Sequence, residues 1–149
     1  MYPIILAIHN IVRWVVLILG VLAAGRALMG WLGKRAWTEN DRKAGSFFGI
    51  AIDTQFLLGL LLYFFLSPLT TTALRDFGAA MSNPALRFFA LEHVLYMVLA
   101  LVLAHMGSVL ARRAATDQIK FRTAGIFFSL SVVAILLGMP WMRPLFPGL

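Results

Sequence analysis

Four continuously apolar stretches, separated by short polar segments, set the pattern of this chain. The first lies within Pro3 to Leu32, the second runs from about Phe47 to Leu66, the third from about Phe88 to Leu110 and the fourth from about Ala124 to Met139. Crossing about 30 Å of hydrocarbon at 1.5 Å per residue takes roughly 20 apolar residues, so each stretch predicts one membrane-spanning helix. Runs this long, without alternation in polarity, exclude the ten-residue strands of a barrel. The expected fold is all-α: an up-and-down integral membrane bundle of four helices, one domain over residues 1–149. Punctuation agrees with the boundaries. Asn83-Pro84 reads as an N-cap and first helical residue, Thr38 with Asp41 as a capping box, and Ser67-Pro68 and Pro140 as span ends.

Composition changes the picture in one respect, the solvent. With 61% hydrophobic and 13% charged residues, the chain is expected in lipid rather than water. Its net charge of +7 is topological, because the cations flank spans. Arg26, Lys34, Arg35, Arg42 and Lys43 fall between the first two spans, and Arg112, Arg113, Lys120 and Arg122 between the last two; the opposite side has Arg75, Arg87 and Arg143. By the positive-inside rule the two basic loops face the cytoplasm and both termini lie outside. Those loops also suit anionic lipid headgroups. No basic-aromatic face accompanies them, so a nucleic-acid partner is not expected. The absence of cysteine excludes disulfides, thiolate metal sites and covalent c-type haem attachment. The opening MYPIILAIHNIVRW lacks the pattern of a removed signal peptide and is taken as the start of the first span. The tail PWMRPLFPGL reads as extended.

Candidate chemistry sits inside the spans. All three histidines do, as does Glu92, and ionisable groups at such depth face a bundle interior or mark a functional path. With antiparallel neighbours, His9 and His93 come to matched depth from the first and third helices, whereas His105 lies about 18 Å from His93 along the same axis. Two imidazoles at one level suit the axial positions of a b-type haem; a zinc or non-haem iron site needs three or four ligands. Arg13, one turn from His9, is expected to pair with a haem propionate or with Glu92, and Tyr96 and Trp14 to wall the pocket. A structural role for the histidines, as hydrogen bonds between helices, stays open beside this. In the other half, Asp53 and His105 are expected to meet, with Gln55 and Tyr63 near them, as a quinone site, a proton site or a plain structural bond. No nucleophile–base constellation, phosphate loop or metal motif is present, so the chain reads as an electron carrier or subunit rather than an enzyme alone.

HNIVRW near the start, DTQFLLGLLLYFFLSP in the second span, RFFALEHVLYMVLALVLAHMG in the third and MPW near the end resemble a group of small bacterial four-helix membrane proteins of the cytochrome b-like type. The resemblance covers most of the chain and is most specific at HNIVRW and RFFALEH. It implies haem association through His9, Arg13 and His93, in a bacterial cytoplasmic (inner) membrane. Members of that group can carry histidine where Asp53 stands here, so one haem is expected and a second, at His105, stays open.

Three functions compete at this stage. The leading one is a membrane b-type cytochrome passing electrons between a quinone pool, or a partner redox subunit, and an external acceptor. The second is a cofactor-free accessory subunit of a respiratory or photosynthetic complex, or a homo-oligomer, using small residues such as Gly45 and Gly49 for helix contacts. The third, a proton-coupled transporter, is disfavoured by four short helices with no broken span.

Overall fold

The computed structural model describes residues 1–143. The last six positions of the expected extended tail lie outside them. Four helical rods form the body. Helix α1 (Tyr2–Leu32) is the first; α2 (Glu39–Leu61) runs on through a π-helical turn, Leu62–Leu66. Helices α3 (Pro68–Arg75) and α4 (Phe77–Met81) form a short connection. The third rod is α5 (Pro84–Arg87), a second π-turn (Phe88–Glu92) and α6 (His93–Arg113), and the fourth is α7 (Asp117–Gly138). Each rod is long and apolar enough to cross a membrane, the architecture of a multi-pass membrane protein.

The helices start earlier than the apolar runs. The second begins at Glu39 rather than Phe47, and the fourth at Asp117 rather than Ala124. Polar caps, not hydropathy, fix these starts: Thr38 donates through its backbone N–H and its hydroxyl to Asp41 Oδ2, at 3.0 and 2.7 Å, and the Thr116 hydroxyl accepts from Ile119 N–H at 3.3 Å. Asn83 Oδ1 accepts from the N–H groups of Ala85 and Leu86, as its place before Pro84 predicts.

The four rods alternate in direction. α1 packs on α2 and α7, and α6 on the same two, which puts the first and third rods across a diagonal. Small residues let the rods close. A side chain on Gly30 would meet the Phe121 ring within 2.2 Å, and one on Gly45 the Phe128 ring within 2.8 Å. Gly49 has nothing within 4 Å, so the helix contact expected there is absent while that at Gly45 is present. Ser131, fully buried, donates to the Ala100 carbonyl at 2.7 Å and ties α7 to α6. At the loop end, Asp41 is buried and receives Arg26 at 2.7 Å, while Asp117 accepts the Trp37 N–H at 3.0 Å. These acids seat the two basic loops on the bundle.

A histidine-lined cavity at the terminal end

At the end of the bundle opposite the basic loops, the rods part around a cavity of about 360 Å³, within the range of small-molecule sites. His9, Asn10 and Arg13 enter from α1, Gln55 and Gly59 from α2, and Phe89 and His93 from the third rod. Ser67, Thr70 and Arg143 close it from the connection and the residues after α7. It is mostly apolar with a few convergent polar groups.

The π-turns shape this end. One extra residue per turn shifts the helix face that follows by about 100° and is often found at functional sites. His93 is the first residue after the second π-turn. The two turns are tied together, because Tyr63 donates to the Ala90 carbonyl at 2.8 Å and the Thr70 hydroxyl donates to the Tyr63 carbonyl at 2.8 Å. In a π-turn residues five apart stack, and Arg87 Nε accordingly donates to Glu92 Oε1 at 2.8 Å. Glu92 thus pairs with Arg87 in the structure, where Arg13 was expected as one alternative. Arg13, buried, donates to Asn10 Oδ1 at 3.5 Å and lies 5.5 Å from the Trp14 ring centroid.

His9 and His93 do converge, with ring centroids 6.5 Å apart and planes at 68°. His93 Nδ1–H donates to the Gly138 carbonyl at 2.7 Å. That carbonyl is one of the last of α7, which have no partner within the helix, and by accepting from Nδ1–H it fixes the tautomer in which Nε2 carries the lone pair. A backbone carbonyl behind an imidazole is the usual arrangement for holding a ligating histidine.

His9 is held from the other side. Gln55 Nε2 lies 3.2 Å from His9 Nε2, and His9 Nδ1 and Gln55 Oε1 are buried with no hydrogen-bond partner; turning the amide over lets Oε1 accept from His9 Nε2–H and leaves the Nδ1 lone pair free. Buried polar atoms left in that state are rare and call for an occupant. The gap left by the missing side chain of Gly59 opens beside them, since a Cβ there would meet only His9 Cε1, at 3.4 Å. Two cations line the cavity, Arg13 and Arg143, the latter 4.8 Å from the Phe89 centroid.

Three expectations need correction. Gln55 belongs to this cavity and not to the Asp53–His105 pair, because two residues along a helix turn the side chain by about 200°. Tyr63 is likewise turned to Ala90. Tyr96 and Trp14 do not line the cavity; Tyr96 packs where a Gly138 side chain would stand, 2.6 Å from its Cβ. Asp53 and His105 do meet, His105 Nε2 and Asp53 Oδ1 being 2.7 Å apart, but on an exposed face rather than inside the bundle. Sequence reasoning missed Asn10, Gly59, the Gly138 carbonyl and Arg143. Only Arg143, an isolated cation beside the last span, left a readable trace.

Among the described residues no group of three or more His, Cys, Asp or Glu side chains that could hold a metal ion occurs. No protein-family model, no curated protein and no solved structure matches the chain.

Proposed function

We propose that the chain is a multi-pass membrane protein that binds one b-type haem between His9 and His93 and carries electrons between a quinone pool, or a partner redox subunit, and an acceptor on the terminal side. The observation that carries this reading is the pair of imidazoles 6.5 Å apart across a cavity, one held by a backbone carbonyl with its Nε2 lone pair bare. Bound there, the haem would supply one-electron chemistry with no open iron position. The protein's part is to hold it. Gly138 and Gln55 orient the two rings, Gly59 leaves room beside His9, and Arg13 and Arg143 are the cations for its carboxylates. The charge of the basic loops supports placing that end in the cytoplasm and the haem near the outer face of a bacterial inner membrane. Resemblance to the cytochrome b-like group supports the same cofactor.

The test is a reduced-minus-oxidised visible spectrum of detergent-purified protein expressed with added haem, beside His9→Ala and His93→Ala. A sharp low-spin α band that is lost or converted to high spin in both variants is expected. Folded protein with no Soret band would refute the cytochrome reading in favour of a cofactor-free accessory subunit.

A further inference from the structure

A second polar site lies away from the cavity. Asp53 is near the middle of the rod Glu39–Leu66, and His105 lies about 12 Å inside the end of α6 at Arg113. Their 2.7 Å contact bridges the second and third rods within the apolar spans, in the half nearer the basic loops, and each side chain is 48% exposed. Within a turn of them the exposed large apolar side chains are Ile50, Leu57, Val102 and Met106, with Thr54 the exposed polar neighbour. Thr54, on the same stretch, is satisfied by the Ile50 carbonyl at 2.8 Å. An ionisable pair at this depth normally faces a bundle interior or an aqueous cavity; this one faces outward. Asp53 Oδ2 and His105 Nδ1 make no hydrogen bond among the described residues, and lipid tails offer none.

We propose that the Asp53–His105 pair is a docking site, open to the bilayer, for a lipid-soluble ring bearing hydroxyl or carbonyl groups, of the quinol and quinone class. Such a ring reaches the pair through the hydrocarbon without a channel. One ring hydroxyl donates to Asp53 Oδ2 and a second ring hydroxyl donates to His105 Nδ1, the acceptor nitrogen when Nε2–H is turned to Asp53, so the two unused polar atoms acquire partners. The bulky residues flanking the pair suit a flat ring better than another helix, whose close approach needs small residues. The inference names the quinone class left open in the proposed function. It rests on the membrane reading of the four rods but not on haem binding, because His105 is about 18 Å from His93 along the helix.

The experiment is titration of the full chain in lipid nanodiscs with a decyl-substituted benzoquinone and its quinol, on wild type, Asp53→Asn, His105→Leu and His9→Ala. Saturable binding, weakened about tenfold or more in Asp53→Asn and in His105→Leu and retained in His9→Ala, is expected; that result stands whether or not haem binds. Equal affinity in wild type, Asp53→Asn and His105→Leu would overturn the proposal. If the variants at the pair do not fold, photolabelling of wild type with an azidoquinone decides: label within 50–57 and 102–106 supports the site, and label elsewhere refutes it. The chain has no cysteine, so Ile50→Cys also reports on a covered face, and quantitative cross-linking of two copies there would assign the face to a dimer instead.

Discussion

Replacing Gly138 by alanine perturbs the site without touching a histidine. The new Cβ would stand 2.6 Å from both Tyr96 Cβ and Met97 Cε. The methionine tip can swing away, but Tyr96 Cβ is fixed to the backbone of α6, and ordinary carbon contacts begin near 3.5 Å. The end of α7 must therefore retreat from α6 by about 1 Å. The same retreat stretches the 2.7 Å bond from His93 Nδ1 to the Gly138 carbonyl to about 3.7 Å, beyond hydrogen-bond range. Overpacking of this kind costs about 1–3 kcal/mol, offset by up to about 1 kcal/mol because alanine is the better helix former. Net destabilisation of about 0–3 kcal/mol is expected in a detergent unfolding titration. The larger effect is on the ligand: losing the group behind a ligating imidazole lowers affinity about 10–100-fold. Gly49→Ala is the matched control, since nothing lies within 4 Å of the added methyl, and it should unfold at least as late as wild type. Haem titration of the three proteins, read at the Soret band, checks the argument. If Gly138→Ala binds haem as tightly as Gly49→Ala, the carbonyl does not position His93 and the reasoning fails.

Gln55→Leu should weaken haem retention about tenfold while leaving the fold intact, because it removes the side chain hydrogen-bonded to His9 among the described residues; competition against apomyoglobin measures it, and unchanged retention would assign Gln55 a packing role alone. Asp41→Ala should cost about 1–3 kcal/mol in the same unfolding assay, since the buried carboxylate serves Thr38 at 2.7 and 3.0 Å and Arg26 at 2.7 Å. A cost below a few tenths would show that the capping box does not anchor the first basic loop. Ser131→Ala should cost only about 0.6 kcal/mol despite complete burial, as hydrogen bonds between membrane helices typically do; a loss several times larger would mean that the Ala100 carbonyl finds no other partner.

Residue spacing made some of this legible and hid the rest. The four rods show directly in hydropathy, because lipid demands long apolar runs. Their true starts do not, since the capped turns at Thr38 and Thr116 are polar and lie outside the runs. Alternating helix direction alone was enough to bring His9 to His93 and Asp53 to His105. Rotation about the helix axis was harder to read. Gln55 was grouped with Asp53 by depth, yet stands on another face and reaches His9. The π-turns leave no mark in the sequence, so the turn of His93 toward Gly138 and the pairing of Glu92 with Arg87 were out of reach. Gly138 contributes a backbone carbonyl, which no side-chain pattern announces.

The most direct measurement of the central claim is low-temperature electron paramagnetic resonance of the oxidised, haem-loaded protein. Ligation by both imidazoles predicts a six-coordinate low-spin ferric signal. A purely high-spin signal from stoichiometric haem would contradict ligation by both His9 and His93.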